Sequence, residues 1–427
     1  MIHPTWSYGA VLYEMNVRQL TPQGTLKAAQ ERLPFLRELG IDIIWLMPIY
    51  PIGEEDRKGG FGSYYSIQDY CSVSCEMGTL ADFDQFLKQA HRLGLKVILD
   101  WVANHTSRDA RWESEKPLDW YERDKDGRAI VPWDWSDTAK LNYANYEVWH
   151  GQINSMKFWV ERGVDGFRCD MAMLVPIGFW QEAAKVLHAI KPDIFMLAEA
   201  EEQNLFEGAF DCCYAWELHH LMVDVAAGHQ RTTALRDYLY RNASTYPAWA
   251  MKMAFTSNHD ENTWQGCESA IFGKALDAMR LFSFVAPGTM PLIYTGQEVG
   301  YDHSFDFFER DPIPAEAYVA GETTELYRKL IALKHSSAAL AAGERGGVWT
   351  TINTNADDCL LILVRESALD RVVAILNLSP YTIECDYNTG IYAGVYTDVL
   401  AGGECLLPLK VHQFMDGWDY RLLRMKK

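Results

Sequence analysis

Three acids stand at the ends of apolar runs. Asp170 closes "GVDGFRCD", Glu199 follows "IFMLA", and Asp260 closes "MKMAFTSNHD". Burying a carboxylate costs several kcal/mol unless it is paired. Arg168 lies two residues before Asp170, and on a strand such residues face the same side. A guanidinium beside a carboxylate favours the ionised form, which a nucleophile needs. Glu199 is flanked by Leu197, Ala198 and Ala200, and an apolar setting raises a carboxyl group toward the range of a general acid. Two carboxyl groups in unlike settings suit acid–base and nucleophilic chemistry at a glycosidic bond.

More polar residues end other apolar runs: Asp100, Asn104 and His105 in one, Asn258 and His259 beside Asp260, and Gln297 and Glu298 in another. Any one acid is as readily a satisfied structural group. Taken singly, His105 and His259 read as buried, satisfied histidines. The set as a whole points to one polar mouth.

The elements that must position these residues alternate along the chain. Strand-like runs are Ala10–Val17, Ile41–Ile49, Leu95–His105, "VDGFRCDM", "IFMLAEA", "CCYAWEL", "MKMAFTSNHD" and "MPLIYTGQE". Helical spacing separates them, as in "GTLADFDQFLKQAHRLG", where Thr79 and Asp82 form a capping-box start and Gly94 a stop. Pro34 interrupts the helical pattern after the first strand. Eight strand–helix units predict an α/β fold, a closed (β/α)8 TIM barrel with catalytic groups at the C-terminal strand ends. An open doubly wound sheet is the alternative, but no glycine-rich phosphate loop supports it.

Residues 106–142 are polar, Trp-rich and broken by Gly and Pro, and read as a short inserted subdomain after the third strand. From 347 to 427 short alternating runs with turns predict an all-β sandwich. The expected division is therefore 1–105 with 143–346 as the barrel, 106–142 as the insertion and 347–427 as the C-terminal domain.

Composition narrows the partners. The 427 residues carry a formal net charge of -19, which argues against nucleic acid. Aromatics reach 13% with 15 Trp; most serve packing, but Trp and Tyr planes also suit sugar rings. Nine cysteines include no CxxC pair and no zinc-like spacing, which fits reduced thiols. The N-terminus has no basic segment followed by a long apolar run, and no run is long enough to span a membrane. As written, the chain reads as cytoplasmic, although one already trimmed of a secretory signal would read the same.

The ordered motifs resemble the α-amylase family of glycoside hydrolases. "DWVANH" (Asp100–His105), "GFRCD" (Gly166–Asp170), "LAEA" (Leu197–Ala200) and "TSNHD" (Thr256–Asp260) resemble its motifs in the family's order. "YYSIQDY", "GTLADF" and "MPLIYTGQE" resemble further blocks. The resemblance implies Asp170 as nucleophile, Glu199 as acid/base and Asp260 as the acid that binds sugar hydroxyls and helps distort the ring. It implies that Arg168 orients Asp170, that His105 and His259 hydrogen-bond the sugar, that Tyr65 stacks on it, and that Asp100 is a structural partner. Trp133 and Trp135 in "VPWDWSD" are candidate stacking residues. A retaining mechanism is implied, with carboxyl groups about 5–5.5 Å apart.

No cofactor is required for this chemistry. In many members a residue equivalent to Asn104 holds a structural calcium. Met173 and Leu174 stand where α-amylases often carry Lys-His, which argues against calcium here. The implied substrate is an α-1,4-glucan or maltooligosaccharide. An α-glucosidase, an α-1,6-glucosidase or a transglycosylase would use the same machinery. A non-catalytic carbohydrate-binding relative is disfavoured, since all three acids are present.

Overall fold

The computed structural model describes residues 3–427. The strands in chain order are β1 (Leu12–Met15), β2 (Ile43–Leu46) and β3 (Lys96–Val102), the short pair β4 (His105–Ser107) and β5 (Thr138–Lys140), then β6 (Gly166–Asp170), β7 (Phe195–Ala198), β8 (Cys212–Tyr214), β9 (Met251–Ala254) and β10 (Thr289–Tyr294). All but β4 and β5 close a parallel barrel in the order β1, β10, β9, β8, β7, β6, β3, β2. These strands are buried almost throughout, as parallel strands covered on both faces must be. The fold is thus the (β/α)8 barrel expected from the alternation.

The chain divides into two compact units. One comprises Leu12–Tyr214 and Tyr294–Val319 with the described N-terminal residues up to Thr5; the other comprises Trp6–Val11, Ala215–Ile293 and Ala320–Lys427.

Within the first unit, register decides what faces what. Asp100 on β3 lies opposite Arg168 on β6, and Arg168 lies opposite Leu197 on β7. Gly166 is required here: a Cβ would fall 2.1 Å from the Phe195 carbonyl oxygen. The helix Leu80–Arg92 starts on the expected capping box, with the Asp82 N–H donating to Thr79 Oγ1 at 3.2 Å and the Thr79 N–H to Asp82 Oδ2 at 2.8 Å. Pro34 splits the earlier helical pattern into helices Leu26–Gln30 and Leu33–Leu39, because a proline tolerates only the first turn. In the insertion, β4 and β5 pair antiparallel, and Trp120, Tyr121, Ala139, Leu141 and Val148 make a small core.

In the second unit the C-terminal strands are β11 (Val348–Ile352), β12 (Leu360–Glu366), β13 (Asp370–Asn377), β14 (Ile383–Asn388), β15 (Gly394–Asp398), β16 (Glu404–Leu407), β17 (Lys410–Met415) and β18 (Tyr420–Lys426). Six form an antiparallel sheet in the order β11, β12, β13, β18, β15, β16, and β14 pairs with β17. Ile362, Val373 and Leu423 from the large sheet share one core with Cys385, Tyr387 and Met415 from the small one, as in a sandwich. The run "CCYAWEL" is strand only to Tyr214, because a helix starts at Trp216.

Candidate active site

The centre of the first unit's polar cluster is a single guanidinium. Arg168 is fully buried at the end of β6. Its Nη1 lies 3.0 Å from Asp100 Oδ1 and 3.2 Å from Asp170 Oδ1, and its Nη2 lies 2.8 Å from Glu199 Oε1. Its Nε donates to the Tyr214 hydroxyl at 3.0 Å, and the group packs over the Trp45 ring, 4.9 Å from the centroid. Burial opposes the arginine's charge, but the attraction of Asp100 and Glu199 outweighs it and holds the group well above the ordinary arginine range.

Asp100 is fixed on every side. Its Oδ2 accepts from Trp45 Nε1 and from the Tyr65 hydroxyl, both at 3.1 Å, and its carbonyl accepts from the Tyr50 hydroxyl at 3.0 Å. Through that bond Tyr65 is held beside the cluster.

Glu199 differs from its sequence-based expectation. It was expected in an apolar setting, but its carboxylate meets Arg168 on one oxygen, and its Oε2 accepts the Met171 N–H at 2.7 Å. Met171 adopts a left-handed conformation, with φ of 40°, as the chain leaves β6. That turn aims its amide at Glu199. The two acids therefore share one cation and differ in their remaining contacts.

His105, Trp135 and Trp133 form an aromatic row. The His105 and Trp135 ring centroids are 5.1 Å apart, and those of Trp135 and Trp133 are 4.8 Å apart. Trp133 ends the row exposed, with a φ of 49° that side-chain-bearing residues rarely adopt. Burial pushes His105 down to about 4, so the ring is neutral at pH 7.

Asn104 braces the insertion. Its carbonyl accepts from the Leu141 N–H at 3.1 Å, and its Nδ2 lies 3.2 Å from His105 Nδ1. Calcium takes six to eight oxygen ligands. Among the described residues no group of three or more His, Cys, Asp or Glu side chains could hold a metal ion.

In the second unit, His259 and Asp260 follow the C-terminal end of β9. His259 is buried, Asp260 is half-buried, and His259 Nε2 lies 3.3 Å from Asp260 Oδ2. A π-helical turn, Glu261–Gln265, begins directly after Asp260, and the Asn258 side chain accepts its first N–H at 2.8 Å. Such turns recur at functional sites.

Glu298 is wholly buried and accepts from the Tyr13 hydroxyl and the Gly296 N–H, each at 2.7 Å. Burial raises it above the ordinary glutamate range, and these bonds give it a structural role. Sequence reasoning missed Tyr214 and Trp45, which hold Arg168 and Asp100. Tyr214 ends a barrel strand, so reading strand ends for phenols as well as acids would have found it.

The model of the alpha amylase catalytic domain matches residues 9–138 and 119–336. The chain belongs to the alpha-amylase family. Within that family it is 31% identical to an alpha-amylase from Lactobacillus plantarum of known structure, covering 99% of this chain and 100% of that one with a TM-score of 0.87. A noncanonic maltogenic alpha-amylase AmyB from Thermotoga neapolitana is 27% identical, with 99% and 100% coverage and a TM-score of 0.88. Alpha-amylase MalA of Haloarcula japonica is 28% identical over 94% of this chain, and the match spans 59% of that protein's length. Met173 and Leu174, where many alpha-amylases have Lys-His, lie on a short turn after β6, and Met173 is 41% exposed.

Proposed function

We propose that the protein is a retaining glycoside hydrolase that cleaves α-1,4-glucosidic bonds of maltooligosaccharides or starch-derived glucans. The observation that carries this reading is the one guanidinium gripping both carboxylates, Asp170 at 3.2 Å and Glu199 at 2.8 Å. Membership of the alpha-amylase family supports it.

Asp170 is the nucleophile. Arg168 keeps it ionised, and its oxygen bonds the anomeric carbon as the glycosidic C–O bond breaks. Glu199 gives its proton to the departing oxygen. In the second half it takes a proton from water, whose oxygen displaces Asp170 from the sugar. The Arg168 and Met171 N–H contacts favour the carboxylate form of Glu199, which is the form the second half needs. Asp260 and His259 bind sugar hydroxyls, His105 does so as a neutral ring, and Tyr65 offers its face. Trp135 and Trp133 extend the aromatic surface away from His105.

The test is a time course on maltooligosaccharides, pullulan and isomaltose, with the anomeric form of the first product read by NMR. The expected outcome is α-anomeric products from maltooligosaccharides. First products of β-configuration would overturn retention. Cleavage of isomaltose in preference to maltooligosaccharides would overturn the linkage in favour of α-1,6 action, and longer products in place of hydrolysis would mark transfer.

A further inference from the structure

Trp133 sits where a tryptophan is unfavourable for folding. The Trp135 N–H donates to the Pro132 carbonyl at 3.1 Å and closes a tight turn. Trp133 is the first of the two central residues of that turn and has a φ of 49°. Turns with a positive φ at this place are dominated by Gly, Asn and Asp, because a Cβ there crowds the following carbonyl oxygen. Burial offsets little of the strain, since Trp133 is 63% exposed. Strained residues cluster where function holds them.

The turn itself is firmly anchored. The Trp135 carbonyl accepts from the Thr138 N–H at 2.9 Å and from the Thr138 hydroxyl at 2.8 Å, at the start of β5. Lys58 Nζ donates to the Asp134 carbonyl at 3.1 Å, and Ser66 Oγ donates to the Asp137 carbonyl at 2.9 Å. Ser66 follows Tyr65, so the turn is tied to the segment that carries the Tyr65 ring. An indole on an anchored turn loses little freedom when a ligand meets it.

The three rings of the row grade from interior to solvent. His105 is 2% exposed, Trp135 is half-buried and Trp133 is open. Each ring is tilted by 52° to the next. A glucan that occupies His105 and follows the row meets Trp133 only with a sugar unit further along its chain. The C–H face of a glucosyl ring is apolar, and stacking it on an exposed indole takes apolar surface of both out of water.

We propose that Trp133 selects for chain length: its ring stacks on a glucosyl unit beyond the one at His105, so long maltooligosaccharides gain a contact that short ones cannot reach. This rests on the reading of the protein as a hydrolase of maltooligosaccharides. It gives the outer end of the row a task separate from bond breaking.

Steady-state hydrolysis of maltotriose through maltoheptaose by the wild type, Trp133→Gly and Trp133→Phe tests this. Glycine accepts the positive φ and removes the ring, while phenylalanine keeps a ring. In Trp133→Gly, kcat/KM for maltoheptaose falls about tenfold and that for maltotriose changes by less than about twofold, tenfold being the scale of one lost aromatic contact. Trp133→Phe recovers most of the maltoheptaose value. The melting temperature of Trp133→Gly stays within about two degrees of the wild type, as befits an exposed residue relieved of strain. An equal loss at every length, or no loss at any, overturns the proposal. Calorimetric titration of maltoheptaose into Asp170→Asn, with and without Trp133→Gly, reads the same contact without turnover. Binding weakened about tenfold by the second change upholds the role of Trp133 even where the wild type hydrolyses none of these glucans. Hydrolysis by the wild type with the same length profile in Trp133→Gly sinks the role of Trp133 alone.

Discussion

Arg168 and Arg365 are both buried arginines on β-strands, one in each unit, and their surroundings are opposite. Arg168 has three carboxylates within 3.2 Å and is held above the usual arginine range. Among the described residues Arg365 bonds only carbonyls, through Nη1, and it is pushed down to about 10. A buried charge is stabilised by its partners, not by its residue type. The first arginine is complete within the protein, and its role is to hold acids in place. The second has an edge left over.

The largest expected effect strikes the acid side of this contrast. Asp170→Asn lowers kcat by about 10⁴-fold or more while circular dichroism stays that of the wild type, because the nucleophile is lost and the strand is not. Turnover within tenfold of wild type would remove Asp170 from the mechanism.

Next come the two arginines themselves. Arg168→Met leaves buried carboxylates without their cation and costs about 3–5 kcal/mol in urea unfolding. Arg365→Met strips donors from two carbonyls but also removes an uncompensated charge, so it costs less, about 1–3 kcal/mol. The reverse order would break the comparison.

Titration gives a third, comparable contrast. His105 titrates at about 4 when folded, below its unfolded value of about 6.5, so the unfolded chain binds the proton first as pH falls. Its contribution is fully present above pH about 6.5 and is lost between about 6.5 and 4, by about 3 kcal/mol. Lys334 in the second unit, its Nζ on the Thr289 and Leu340 carbonyls, is pushed down to about 7 by burial and then by Arg365. Here the unfolded chain keeps the proton up to about 10.5, so stability rises with pH from about 7 to 10.5. Urea midpoints across pH check both, with His105→Gln flattening the acid limb and Lys334→Gln the alkaline one.

The smallest effect is that of a chelator. EDTA leaves the melting temperature unchanged, the outcome expected from Met173 and Leu174 standing where α-amylases often carry Lys-His; a fall of several degrees would show a bound metal.

The barrel was legible because its strands are unbroken apolar runs separated by helical spacing. The Arg168–Asp170 pairing was legible from period-two geometry within one strand. Glu199's ion pair was not, since "MLAEA" says nothing of an arginine on the neighbouring strand. Only the pairing of β6 with β7, which sets Arg168 opposite Leu197 and two residues short of Glu199, brings the two side chains within reach. Tyr214 went unnoticed for the same reason, and the strand read through Trp216 was cut short by a helix start that the apolar text concealed. Arg365's spare edge lies in no motif at all: it exists only where a strand of the sandwich meets the carbonyls of Val285 and Ala286.

The exposed turn just after β6 has a consequence for the lineage. Gly166, Arg168 and Asp170 are locked, one by a backbone collision and the others by ion pairs. Met173 is 41% exposed. Point changes there cost folding less than changes at those three positions, so descendants of one barrel can vary this turn while inheriting the same acids gathered around one arginine.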